Sequence, residues 1–235
     1  MTIDINEMLR SFDSRSAVML SLNTAAVTLA LHLAAGVLAG YFLTGRKTIL
    51  RSLADTAVTL PLIFPPIATG FLLLLLLGRN GIIGHPLQNA GIEIIFSTTG
   101  VYIASFIAGL PLVIKSVQSA IETMDRSLIE ASWTLGKSRT QTYIQVVLPH
   151  IRYALLTGLI LSLGRSFGEV GITLILGGNI SEKTETMSLA IYNAVFEGNF
   201  EKAALLSVIL AFISLGMFAV LKKITQTANG SHTIA

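Results

Sequence analysis

The stretch EASWTLGKSRTQTYIQVVLP (130–149) decides how the chain is read, because it is a polar interruption between apolar runs. To its N-terminal side lie three such runs, at about 17–43, 54–78 and 96–115. To its C-terminal side lie two, at 152–177 and 203–221. A helix needs about 20 mostly apolar residues to cross a bilayer, so all five qualify as spans. The composition agrees. Of 235 residues, 52% are hydrophobic and only 12% charged, against about 25% charged in a soluble domain. The mean hydropathy is +0.73. The expected fold class is all-α, a polytopic membrane protein with about five transmembrane helices. The N-terminus mixes acids and bases and its first apolar run is too long for a signal peptide, so that run reads as an uncleaved span.

The second run carries Pro61, Pro65 and Pro66, followed by leucines from Leu72 to Leu77. Proline is tolerated in a membrane helix where cavities or neighbours satisfy the freed carbonyls, so a kink or break is expected near 61–66. Charge sets the orientation. With a cytoplasmic C-terminus, the inner segments hold Arg46, Lys47, Arg51, Lys115, Arg126, Lys137, Arg139, Arg152, Lys222 and Lys223. The outer ones hold only Arg10, Arg15, Arg79, Lys183 and Lys202. That satisfies the positive-inside rule, and the reverse orientation violates it. The expected layout is an extracytoplasmic N-terminal segment (1–16), a membrane domain (17–224) and a cytoplasmic tail (225–235). The segment 121–150 then lies inside. The Gly-rich loop 79–95 and the polar, acidic loop 178–200 lie outside, and no regulatory domain is expected.

Within the inner segment, Asp125 is a plausible N-cap for a helix over 126–135. Gly136 suits a left-handed C′ position. Ser138 with Gln141 makes a capping-box pattern for a second short helix, and Pro149 marks the turn into the fourth span. Leu128, Ile129, Trp133 and Leu135 give the first helix an apolar face, with Ser132 and Lys137 left to solvent. Such a segment suits either a docking element or an amphipathic loop resting on headgroups.

Glu130-Ala131-Ser132, three residues, Gly136, nine residues and Val146-x-Leu148-Pro149 resemble the EAA signature of bacterial ABC import permeases. That signature is Glu-Ala-Ala, three residues, Gly, nine residues, Ile-x-Leu-Pro. Ser132 and Val146 depart from it and the spacing is kept. The resemblance implies a type I importer permease. Glu130, Ala131, Ser132, Gly136, Leu148 and Pro149 would then form a coupling helix and its base, docked on a cytoplasmic ATPase. LPLIFPP (60–66) with Gly70, GRSFGEVGITLILGGNI (164–180) and TETMSLAIYNAV (184–195) resemble the oxyanion permeases. Among these, molybdate permeases are the first match, with sulfate and tungstate permeases sharing parts of the pattern. The family further implies a bacterial or archaeal cell membrane and a homodimer enclosing the path. It also implies an extracytoplasmic binding protein that delivers the anion.

The residues add candidates of their own. Arg165 and Glu169 fall in the fourth run at i and i+4, where a helix would put them on one face. They read either as a pathway pair near the gate, Arg165 supplying positive potential and Glu169 holding it, or as a buried pair that fixes packing. Pro65 and Pro66 are further pathway or gate candidates. Gly177, Gly178 and Asn179 end that run, as a helix cap and turn or as an anion-friendly nest at the outer mouth. Gly164, Gly168 and Gly171 suit close helix packing. His32 reads as a packing residue.

Several functions are disfavoured. No Gly-rich Lys-Ser/Thr phosphate loop is present, so ATP would be used by a partner and no cofactor is expected here. Cysteine is absent and His85, His150 and His232 form no spaced set, so no metal site is expected. An intramembrane enzyme would need a Ser–His or Asp–Asp pair or a His-rich metal motif at membrane depth; Ser162 and Ser166 lie in the fourth run with no histidine nearby in sequence, and His32 could approach them only through the tertiary fold. A stand-alone secondary transporter would show more spans and internal repeats. Nucleic-acid binding has no basic stripe to support it.

Overall fold

The computed structural model describes residues 15–43 and 48–230. Residues 1–14 of the expected N-terminal segment and the end of the C-terminal tail, with Arg46 and Lys47, lie outside the described residues. The regular secondary structure of the described residues is all helical, without strands. Among the described residues four helices are long and apolar enough to cross a membrane: 16–42, 98–123, 139–167 and 200–219. They belong to α1 (Arg15–Leu43), α5 (Thr98–Thr123), the α7–α8 rod defined below and α11 (Phe200–Gly230). The second expected span is broken in two, α2 (Ile49–Ile63) and α3 (Pro66–Leu77).

The break falls where the prolines demand it. Phe64 is extended and its N–H still reaches Leu60 O at 3.0 Å. Pro65 and Pro66 have no N–H to give, so the α-helical ladder cannot continue. Pro66 then opens α3, the position where its missing donor costs nothing.

Two expectations about the fourth span are corrected. Its helix starts earlier and stops sooner than 152–177. The short α7 (Arg139–Thr142) runs through a π-helical turn (Tyr143–Val147) directly into α8 (Leu148–Phe167). Pro149 therefore sits within a continuous rod and marks no turn. In an α-helix its ring would press on the Gln145 carbonyl. The wider π turn lies just ahead of it, with the Leu148 N–H reaching Tyr143 O five residues back. At the other end α8 stops at Phe167, and a separate helix, α9 (Gly171–Gly177), follows. The loop expected over 178–200 is also half helix: α10 (Met187–Phe196) is apolar and buries Met187, Ser188, Leu189, Ala190 and Ala194.

The chain divides into two compact units, and α1, α5 and α11 contribute a segment to each. One unit contains residues 27–43, 48–65, 106–166 and 213–230. Its core joins Val113 and Val117 of α5 to Tyr143, Val147, Ile151, Leu155 and Leu159 of the α7–α8 rod. Glycines bring the backbones together. A Cβ on Gly36 would lie 2.5 Å from Leu155 Cδ1, and one on Gly158 would lie 2.8 Å from Val113 Cα. α2 buries no residue at all. It is tied to α5 by an ion pair the sequence reading did not anticipate, Lys115 Nζ to Asp55 Oδ1 at 2.6 Å. Lys115 also donates to Gln118 Oε1 at 3.1 Å.

The second unit contains residues 15–26, 66–105 and 167–212. Here α3 and α9 lie side by side. Gly70 packs within 3.1 Å of Ile172 Cα, measured from where its Cβ would be. α10 is anchored by the Met187 N–H on Ser21 Oγ at 2.9 Å and by Ser188 Oγ on Phe167 O at 2.6 Å. Long apolar side chains remain exposed along α1, α2, α3 and α11, among them Leu38, Leu53, Phe71 and Phe212. Hydrocarbon solvent makes that surface stable.

A close crossing of α1, α5 and α8 supplies a test. A methyl on Gly109 would lie 2.6 Å from His32 Cε1, 2.7 Å from Ser162 O and 2.8 Å from Ser166 Oγ. Overpacking of this kind costs about 1–3 kcal/mol. Gly109→Ala should therefore lower the thermal midpoint of the detergent-purified protein. Gly216→Ala, at a position with nothing within 4 Å, should melt like the parent. Equal midpoints for the two variants would contradict the crossing.

Candidate functional site

The segment around Glu130 is a braced two-helix platform. Asp125 caps α6 (Arg126–Thr134) by accepting from the Ser127 N–H at 2.9 Å. That N–H, and secondarily the Ser127 hydroxyl, hold the Asp125 carboxyl below the usual carboxylate range. The cap is therefore complete at neutral pH and is lost only as pH falls through that lowered value. Gly136 turns the chain with φ of 77°. Ser138 and Gln141 form the capping box that starts α7.

Ser132 is buried, not solvent-facing as expected. Its Oγ lies 3.0 Å from Thr142 Oγ1, locking α6 against the start of the next rod. The departure from Ala in the signature thus carries a hydrogen bond. Lys137 Nζ adds a bond to Gln145 Oε1 at 2.6 Å.

The rod is in turn fastened to α1. Tyr143 donates its hydroxyl to Val37 O at 2.6 Å. Arg139 donates to Tyr41 O at 3.1 Å and its guanidinium stands 4.8 Å over the Tyr41 ring. Sequence reasoning missed these tyrosines, whose partners lie about a hundred residues away. The outer surface of α6 stays open: Trp133 is 50% and Leu135 78% exposed, and Glu130 and Ala131 are exposed beside them. Leu148 and Pro149 stand at the base of the platform in the first turn of α8.

Two helix breaks meet in the other unit. Pro66 opens α3, and a Cβ on Gly171, which opens α9, would lie 2.7 Å from Pro66 Cβ and 3.0 Å from Ile67 N. Glu169 sits in the second break, only 2% exposed, and its Oε1 accepts the Ile172 N–H at 2.6 Å. The carboxylate therefore caps α9. α8 has already ended at Phe167, so Glu169 lies in the break beyond the helix that carries Arg165. Arg165 lies in the last turn of α8. At the first break, Pro65 and Pro66 leave the carbonyls of Pro61 and Leu62 without their α-helical donors. At membrane depth such groups are tolerated only inside protein or along a polar path.

At the end of α9, Gly178 and Asn179 are both left-handed, with φ of 77° and 50°. The Gly178 N–H bonds Leu174 O at 3.1 Å and the Ile180 N–H bonds Thr184 Oγ1 at 2.8 Å. Two donors that an anion nest would need are thus committed within the chain. The Asn179 amide pairs with Asn193, which also donates to Glu185 Oε1 at 2.7 Å. Gly177 is buried and packs toward Val101.

The structure does bring His32 to the same crossing as Ser162 and Ser166, around Gly109. The three are buried, and His32 Nε2 is bonded to Phe106 O at 2.9 Å, its ring stacked on Phe106. The histidine itself is fully buried. Among the described residues no group of acids and histidines gathers that could hold a metal ion.

Long apolar helices, one of the expected spans broken by prolines, are the architecture of a polytopic membrane protein. The family model for the inner membrane component of binding-protein-dependent transport systems matches residues 33–226, and the chain belongs to that family. It is 33% identical over 225 residues to the molybdenum transport system permease protein ModB of Haemophilus influenzae, covering 94% of this chain and 98% of that one. It is 36% identical over 220 residues to the chloroplastic sulfate permease 2 of Chlamydomonas reinhardtii, covering 92% of this chain but 58% of that protein's length. In fold it resembles a chain of a bacterial ABC transporter involved in importing the acidic polysaccharide alginate. The TM-score is 0.77 at 17% identity, covering 97% of this chain and 84% of the other.

Gly136 offers a test of the platform. No atom lies within 4 Å of where its Cβ would be, so a substitution there is penalised by the backbone dihedral alone. Left-handed backbone costs an ordinary residue about 1–2 kcal/mol and Asn less. The parent should therefore have the highest thermal midpoint, the Gly136→Asn protein the next and the Gly136→Ala protein the lowest. Equal midpoints for the two variants would show that the turn is not held left-handed.

Proposed function

We propose that the chain is the permease subunit of an ATP-driven importer for molybdate, acting as a homodimer with the anion path between its two copies. Permeation of tungstate or sulfate by the same machinery is the second reading. The observation that carries the proposal is the α6 platform. Its apolar residues Trp133 and Leu135 are exposed although the segment under them is firmly braced through Ser132, Arg139 and Tyr143. A rigid base with an uncovered aromatic on top suits a protein partner, and the EAA-like spacing favours an ABC ATPase as that partner. Glu130, Ala131, Ser132 and Gly136 form the docking element, with Leu148 and Pro149 at its base. ATP is bound and hydrolysed by that partner, and the permease itself needs no cofactor.

The paired breaks at Pro65–Pro66 and Glu169–Gly171 are the candidate pathway region. A doubly charged tetrahedral oxyanion cannot cross hydrocarbon without hydrogen-bond donors or positive charge, and the N-terminus of α3 at the first break presents backbone donors of that kind. Glu169 already occupies the α9 N-terminus, so it acts as an internal carboxylate that holds the break shut. Arg165 supplies positive potential on the α8 side. Gly177, Gly178 and Asn179 lie toward the outer mouth, where an extracytoplasmic binding protein delivers the anion. The resemblance over 164–195 and the molybdenum permease relative favour molybdate. The sulfate permease relative supports the second reading.

The N-terminus is taken to lie outside and the C-terminus in the cytoplasm. Because the chain has no cysteine, single cysteines report the orientation cleanly. Leu135→Cys should label from the cytoplasmic side only and Asn80→Cys from the outside only; the opposite pattern would overturn the docking role.

The decisive experiment assembles the permease with its ATPase and binding protein and compares molybdate, tungstate and sulfate as stimulants of ATP hydrolysis. Molybdate is expected to stimulate most. Stimulation by sulfate alone would refute the molybdate reading while leaving the permease reading standing. Trp133→Ala should weaken ATPase co-purification by about tenfold or more, as loss of an aromatic anchor costs about 2 kcal/mol or above.

A further inference from the structure

The second unit contains a hollow of about 580 Å³ that none of the pathway or docking residues uses. It lies where α3 ends and the chain turns through the short α4 (Gly84–Asn89) toward α5. Its walls are hydrocarbon: Leu74 and Leu77 of α3, Ile92, Ile94 and Phe96 before α5, and Ile180 after α9. The charged groups on it are Arg79, Lys183 and Glu93, all exposed. Neither Arg79 nor Lys183 makes a side-chain hydrogen bond or ion pair among the described residues.

The walls are preformed. The Ile83 N–H reaches Leu76 O at 3.1 Å and the Gly81 N–H reaches Gly78 O at 2.8 Å. Phe96 is held in a left-handed conformation, φ 59°, by its N–H on Leu176 O at 2.8 Å. Its ring lies against Gly178, where a Cβ would come within 2.4 Å of Phe96 Cδ1.

We propose that this hollow binds one anionic glycerophospholipid. The phosphodiester lies between Arg79 and Lys183, and the start of an acyl chain lies along Leu74, Leu77 and Ile94. Three observations fix the class of ligand. The walls are apolar, which a hydrated oxyanion dianion would find costly and an acyl chain would not. Two cations against one acid leave a net charge of one positive, which a phosphodiester neutralises. Arg79 follows within two residues of the apolar run ending at Leu77, which sets it at headgroup depth, where long cationic side chains gather. The volume is that of an ordinary small-molecule site. The inference rests on the chain being a membrane protein and is independent of the transported anion and of the orientation.

The test uses the full chain in mild detergent. Native mass spectrometry follows titration with palmitoyl-oleoyl phosphatidylglycerol, with phosphatidylethanolamine of the same chains, and with molybdate. Phosphatidylglycerol should be retained at one per chain in preference to phosphatidylethanolamine. The Arg79→Gln/Lys183→Gln double variant should weaken retention about tenfold, the scale of losing two charge-assisted phosphate contacts. Leu77→Trp, which fills the wall without altering charge, should weaken it similarly. Hydrogen exchange on the unmodified chain serves even if the variants misfold: phosphatidylglycerol should protect residues 74–96 and 180–183. Undiminished retention in the double variant, equal retention of the two lipids, or protection by molybdate or by the binding protein instead of the lipid would each overturn the assignment.

Discussion

A backbone carbonyl in hydrocarbon has no water to turn to, and every departure from regular helix in this chain has to be reconciled with that. At Pro65 and Pro66 the donors are missing outright. At Phe167 the departing helix leaves a carbonyl that Ser188 recovers, and at Ile172 an N–H in the first turn of the next helix is taken by Glu169. The α3 and α9 helices that start from these breaks pack through Gly70 and Gly171. These two breaks in the apolar runs are therefore packed against each other.

The platform at α6 meets a different requirement. It must keep its shape while leaving its upper surface uncovered. Polar side chains do this from below: Ser132 and Thr142 join the two helices, and Arg139 and Tyr143 join the rod to α1. The bonds from Arg139 and Tyr143 end on backbone carbonyls, which fix orientation better than apolar contact does. Trp133 and Leu135 can then remain exposed without collapsing onto their own chain.

Much of this was legible in the sequence, for identifiable reasons. Apolar length gave the spans, and the triple proline gave the break near residue 64, because both are local properties of the chain. The caps at Asp125 and Ser138 and the left-handed turn at Gly136 were legible for the same reason. The end of α8 was not. Residues 164–177 contain no proline, and glycines at 164, 168 and 171 are as compatible with a packed helix as with a stop. What ends the helix is the use of Glu169 as a cap and of Ser188 as a donor, the latter a partner from α10. The burial of Ser132, the reach of Tyr143 to Val37 and the Asp55–Lys115 pair were hidden likewise, since each depends on residues distant in sequence. A lone acid in the second apolar run and a lone lysine at the end of the third were the available hint of that pair.

The π turn at Tyr143–Val147 has a consequence for how the chain tolerates insertion and deletion. A π turn holds one residue more than an α turn, and successive residues of an α-helix are rotated by about 100°. Deleting a single residue within Tyr143–Val147 would let the rod close into plain α-helix. Because the wide turn takes up its extra residue by turning less per residue, α6 would keep roughly the facing it has now, whereas a deletion in the plain α-helix beyond Pro149 would rotate everything on one side of it by about 100°. The nine residues between Gly136 and Val146 thus include one residue of slack, stored in the π turn, which can be gained or lost without changing the angular register between the membrane rod and the surface it carries.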